Sequence, residues 1–118
     1  MVGVAFAGYA AVFDRVDRAG DVVRRGAFAG AGAVPLLVDH AGSPVGEITA
    51  ISEDAYGLRV EGVAAGPVAV GAGLSVGYRA RQTRQGAWRE LLDCELLEVS
   101  LVGVPMQPLA RVDRVGAG

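Results

Sequence analysis

No stretch of this chain spaces its apolar residues at a helical period, and that absence constrains the fold more than any other feature. What recurs instead is a short apolar run, rich in small and β-branched residues, closed by a turn containing Gly, Asp or Pro. Residues 44–64, "PVGEITAISEDAYGLRVEGVA", read as a hairpin. Val45, Glu47 and Thr49 alternate with Gly46, Ile48 and Ala50, "EDAYG" turns, and "LRVEGV" returns. Residues 2–13 read as a first strand, 14–21 as a polar turn, and 22–28 as a short strand or irregular segment. "VPLLVDH" (34–40) is a strand whose last residues emerge at an edge. Residues 74–82 and 87–97 flank "TRQG" as a second hairpin, and "EVSLVGV" (98–104) is a last strand closed by "PMQP". "AGAGA" (29–33) is too Gly-rich for a stable helix, and "AGPVAVGAG" (65–73) reads as a loop. The expected fold is mainly β with little helix. A small antiparallel β-barrel of about six to seven strands, closed or nearly so, hides sheet edges at this size.

Length and composition bound the rest. With 118 residues, 52% hydrophobic and 20% charged, the chain is expected to form one globular domain over 1–118 with a single core. Its net charge of −2 comes from interspersed signs, so there is no nucleic-acid footprint. No apolar run approaches membrane-helix length and no basic region opens the chain, so it is expected to be soluble and not exported.

The missing residue types narrow the chemistry. One Cys (Cys94) and one His (His40) make neither a Cys/His zinc set nor an internal disulfide, and no metal or cofactor is expected. There is no Lys, which removes a Ser–Lys dyad, a Schiff base and a P-loop. If the chain performs nucleophilic catalysis with an imidazole base, His40 is that base.

Four serines compete for the nucleophile: Ser43, Ser52, Ser75 and Ser100. Ser43 and Ser52 sit in turns, where a local hydrogen bond accounts for them. Ser75 and Ser100 lie on strands. "GLSVGY" (73–78) places Ser75 between Gly73 and Gly77, which would let a substrate backbone approach, although a small core residue beside glycines fits the pattern too. His40 has a plain reading as a hydrogen-bonded strand end. Asp39 is poorly placed to orient it, because strand neighbours point to opposite faces. Glu98 opens an apolar run where a carboxylate needs a partner to be buried, or else sits at the surface. Cys94 lies between Asp93 and Glu95, whose charge disfavours a thiolate, and reads as a core residue.

In order along the chain, "GYAAVFDRVDRAGDVVRRGAF", "VPLLVDH", "PVGEITAISEDAYGLRVEGVA", "GLSVGYRA" and "LLEVSLVGVPMQPLARV" resemble the prohead (capsid-maturation) serine proteases of tailed bacteriophages. Those enzymes are similar in fold to the herpesvirus assemblin proteases. The likeness runs from about Gly8 to Val112, nearly the whole chain. It implies a serine endopeptidase inside the assembling procapsid, in the host cytoplasm. Its substrates would be scaffold, the N-terminal arm of the major capsid protein, and itself. The resemblance puts the histidine on His40, the serine on Ser75 and the third catalytic member on Glu98. Oxyanion or substrate contacts would fall to Gly73 and Gly77 with Arg79 or Arg81, the two arginines having a plain solvent-facing alternative. Where the family carries helices, after "GAF" and before "GLS", this chain has only "AGAGA" and "AGPVAVGAG". A monomer or weak homodimer is therefore expected. "GVPMQP" stands where assemblins carry an arginine pair. The alternatives are a non-catalytic, protease-derived structural protein of a phage or phage-like particle, and a barrel that binds a small apolar ligand.

Overall fold

The computed structural model describes residues 3–116, and every element in it is a strand. These are β1 (Val4–Val12), β2 (Asp21–Val23), β3 (Val34–Val38), β4 (Ala41–Glu53), β5 (Gly57–Ala64), β6 (Gly73–Gln85), β7 (Arg89–Val102) and β8 (Val112–Gly116). They form one sheet in the order β2-β7-β3-β4-β5-β1-β8, with β6 along β7. Both expected hairpins are present. β4 returns as β5 around 54–56, and β6 returns as β7 around 86–88.

The mainly-β expectation holds, but three details of it need correction. First, the sheet has eight strands. "ELLEVSLV" contains no turn residue, so residues 89–102 run through as one strand, and a further strand lies at Val112–Gly116. Second, the sheet is mixed: β2 and β3 both pair with β7 in parallel. Third, it is not closed into a barrel. β6 meets the chain leading into β8 only through the bridge Gly73–Arg111 and the Leu74 N–H to Ala110 carbonyl bond. The reason lies in "PMQP". Pro105 and Pro108 carry no N–H for a ladder. The amide of Gln107 covers the end of β1 instead, accepting from Val12 N–H at 2.6 Å and donating to the Val12 carbonyl at 2.7 Å. A side chain takes the hydrogen bonds that a closing strand would have made.

The core lies inside this curved sheet, where Phe6, Phe28, Leu36, Ile48, Leu58 and Leu91 are buried. Truncating any of these large side chains to Ala costs about 2–5 kcal/mol in comparable cores. Two loops are pinned together over one flank. Arg18 donates its backbone N–H to the Met106 carbonyl at 3.0 Å and its Nε–H to the Pro105 carbonyl at 3.1 Å. Beneath them the buried Asp21 accepts from Arg89 Nε and Nη2 at 2.9 and 2.8 Å, which secures β2 to β7.

A candidate Ser-His-Glu site at the base of the β6–β7 hairpin

The site is assembled across three neighbouring strands. In β6 and β7, Ser75 faces Ser100 and Gly77 faces Glu98. Directly opposed residues put their side chains on one face of the sheet, and so do residues two apart. Ser75, Glu98 and Ser100 therefore share a face. On the far side of β7, β3 runs parallel to it, with Leu37 beside Ser100 and Val38 beside Leu101.

β3 ends at Val38, and Val38 pairs with Ala41 across Asp39 and His40. Both turn residues have positive φ, 52° at Asp39 and 59° at His40. A two-residue hairpin with both residues left-handed is the tight turn that matches strand twist, and Asp and His are among the side chains that tolerate it. His40 is thus a turn residue, two positions beyond the end of β3. Asp39 N–H donates to the Leu101 carbonyl and His40 N–H to Ser100 Oγ, each at 3.0 Å, and both tie the turn to β7.

From that turn the imidazole reaches the face carrying Glu98. Its Nδ1 lies 2.5 Å from Glu98 Oε1. The second carboxylate oxygen, Oε2, accepts from Ser100 Oγ at 2.7 Å. Glu98 is buried to 9% exposure, and both its oxygens are partnered, as a buried carboxylate requires. The carboxylate also explains a glycine of "GLSVGY". A Cβ on Gly77 would sit 2.1 Å from Glu98 Oε1 and 2.7 Å from its Cδ. The space above Gly77 thus belongs to the carboxylate. Gly73 has a packing reason as well, since a Cβ there would meet the Val102 carbonyl oxygen at 2.7 Å and Pro105 Cδ at 3.0 Å. Register slips between Gly77 and Tyr78, a bulge that marks the end of the site-bearing stretch.

Ser75 and His40 line the same cavity of about 100 Å³, whose walls include Val23, Tyr78, Leu91 and Met106. Tyr78 is held edge-on to Phe28 with ring centroids 6.2 Å apart. Among the described residues the Ser75 hydroxyl has no hydrogen-bond partner, yet no sealed side-chain oxygen lacks one, so this hydroxyl is open to the cavity. The imidazole, 43% exposed, engages the protein through Nδ1. The remaining sequence candidates lie elsewhere. Arg79 pairs with Glu95 at 3.2 Å and Arg81 with Asp93 at 3.1 Å, on the exposed part of the hairpin. Cys94 is buried, and burial, reinforced by Asp93, pushes its thiol pKa up.

Sequence reasoning passed over Ser100, which touches both His40 and Glu98. The signal was present in "EVS": a carboxylate and a hydroxyl two residues apart on a strand face the same way.

Among solved structures, the herpesvirus KSHV protease, crystallised with a hexapeptide phosphonate inhibitor, is similar in fold. The two share 13% identity at a TM-score of 0.70, over 98% of this chain and 66% of that one. The chain thus spans a little under two thirds of that enzyme's length. Among curated protein sequences there is no significant match. The family model described as caudovirus prohead serine protease matches residues 2–117. That match covers almost the whole chain, and the mainly-β sheet is similar in fold to the herpesvirus enzyme: the chain belongs to the caudovirus prohead serine protease family.

Proposed function

We propose that the protein is a serine endopeptidase of capsid maturation with Ser75 as nucleophile, His40 as general base and Glu98 as the group that orients the base. The observation that carries this reading is the pairing of His40 Nδ1 with the buried Glu98 at the wall of the cavity onto which Ser75 opens. An imidazole that donates from Nδ1 presents an Nε2 lone pair. That lone pair accepts the Ser75 proton as Oγ attacks the scissile carbonyl, and the resulting imidazolium hands the proton to the leaving amine. Glu98 keeps its negative charge throughout and stabilises the imidazolium.

The shape of the sheet supports a peptide substrate. β6 is paired with β7 on one side, and its other edge meets the chain at Gly73 and Leu74 only. Beyond them that edge is free, among the described residues, to take an extended peptide as an added strand next to Ser75. Family membership supports scaffold or the N-terminal arm of the major capsid protein as the substrate, cleaved inside the assembling procapsid.

The test is cleavage of a capsid-protein precursor by the wild type, Ser75→Ala and Cys94→Ala. Loss of Ser75 is expected to lower kcat/KM by roughly 10⁴-fold or more, because the members of such a unit act together. Cys94→Ala is expected to cleave at the wild-type rate. A folded Cys94→Ala protein without activity, or an undiminished Ser75→Ala, would overturn the assignment. A wild type inert toward every capsid precursor would leave a structural protein built on a protease sheet.

A further inference from the structure

We infer that Ser100 is a positioning residue that fixes which nitrogen of His40 carries the proton, an inference that rests on the catalytic reading above. The argument comes from counting donors. A hydroxyl has one proton and two lone pairs. The His40 backbone N–H is only a donor, so at 3.0 Å it consumes a lone pair of Ser100 Oγ. The one Ser100 proton is then free for Glu98 Oε2, 2.7 Å away. An oxygen that receives a proton donor in this way is held as an acceptor. The other oxygen, Oε1, is left to accept from His40 Nδ1. With Glu98 ionised, as in the proposed mechanism, each bond in the chain has one direction, and the direction leaves neutral His40 with its lone pair on Nε2.

The same residue holds the backbone that carries the imidazole. His40 is non-glycine at φ 59°, a conformation that persists only where its surroundings enforce it. Its N–H points away from the hairpin ladder, and Ser100 satisfies it. Ser100 itself is completely buried, opposite Ser75 in register and beside Leu37 of β3. One hydroxyl therefore couples the backbone of the base to the carboxylate that orients it, on the residue directly opposite the nucleophile in register. A buried small residue with a purely space-filling role would need none of this geometry.

Because His40 is the sole histidine of the chain, its tautomer can be read directly from ¹⁵N-histidine NMR of the substrate-free protein, at a pH where the imidazole is neutral. The wild type is expected to show the Nδ1–H tautomer alone. Ser100→Ala, and Ser100→Cys with its weaker donor, are expected to show a mixture of both tautomers. Their kcat should fall by about 10²-fold with KM nearly unchanged, the cost of a base misplaced or misprotonated. Ser100→Thr keeps the hydroxyl and is expected to restore the single tautomer and most of kcat. The inference is overturned if Ser100→Cys or Ser100→Ala retains the pure Nδ1–H form and the wild-type kcat. It is equally overturned if Ser100→Thr folds yet behaves like Ser100→Ala. An inactive wild type with the expected tautomer pattern would count against the protease reading and for the hydrogen-bond chain, so the two failures are distinguishable.

Discussion

At the base of the β6–β7 hairpin, the buried Glu98 is partnered by the fully buried Ser100 and by the half-exposed imidazole of His40. Further along the same two strands Arg79, Arg81 and Arg84 each reach across to a carboxylate of β7. The contact distances are similar in the two regions. What differs is the medium. Ser100 is 0% exposed, whereas the Arg79 and Glu95 side chains are 70% and 44% exposed. In water the outer pairs compete with solvent and with their own rotamers, and an exposed pair contributes about 0.2–1 kcal/mol. In the interior an unmade bond leaves a charge or a dipole without compensation, so the arrangement is all or nothing. Positional accuracy comes with burial, which Glu98 and Ser100 have and Arg79 and Glu95 lack.

Glycine substitution is the sharpest way to break that contrast, because two glycines of this sheet are crowded by different things. Gly77→Ala would drive a Cβ into the Glu98 carboxylate, the far end of a side chain that can swing away. Its cost should fall on the site: roughly 10²-fold in kcat as the contact to His40 Nδ1 is lost, with a modest change in stability. Gly57→Ala would instead put a Cβ 2.1 Å from the Ala11 carbonyl oxygen, where only the backbone of β1 could yield. That variant is expected to lose about 1–3 kcal/mol or more of stability, with kcat of the folded fraction unchanged. Parallel assays and urea titrations of the two proteins decide it. A fully active Gly77→Ala would mean that the carboxylate position is not critical.

Glu90 offers a smaller effect with a defined sign. It accepts from Arg84 Nε and Nη2 at 2.7 and 2.9 Å and from Arg24 Nε at 2.8 Å. Those guanidiniums, Arg84 first, hold its carboxyl down at about 2, against an ordinary 4.5. A group whose pKa is lower in the folded state stabilises that state above its unfolded pKa and ceases to do so as the pH falls through the folded one. The contribution should be complete above 4.5 and vanish as the pH falls to about 2. Denaturant midpoints of wild type and Glu90→Gln should therefore separate near neutral pH and converge in acid. A gap that widens on acidification would contradict this ion-pair account. Activity is expected to be indifferent, since Glu90 does not line the cavity shared by Ser75 and His40.

How much of this was legible beforehand follows from what each residue signals. Ser75, His40 and Glu98 were candidates because the chain has so few reactive side chains, and it was the resemblance to the prohead proteases that put the catalytic set on them. The hairpins announced themselves through alternation and turn residues. The handling of Asp39 and His40 by strand alternation failed because they form the turn itself. The left-handed pair is visible only once Val38 and Ala41 are known to be partners. Barrel closure failed because the Gln107 amide occupies backbone groups that periodicity assigns to a strand. β8 was missed because "VDRVG" is short and two of its five residues are charged. Ser100 looked like any strand serine, and its role depends on a turn sixty residues away.

Arg79 and Arg81 give the smallest expected effect and the most exacting check on the division between base and tip. Sequence order placed them next to Ser75 and so made them candidates for the oxyanion. Their guanidiniums are instead engaged with Glu95 and Asp93 beyond the bulge that follows Gly77. Neither lines the cavity onto which Ser75 opens. Arg79→Ala and Arg81→Ala are therefore expected to change kcat less than about twofold and stability by no more than about 0.5 kcal/mol. Removing a true oxyanion donor costs about 10²–10³ in kcat, so the two possibilities lie far apart on the same assay. A loss of that size in either variant would mean that the hairpin bends over the site when substrate binds. Its outer arginines would then belong to the catalytic apparatus after all.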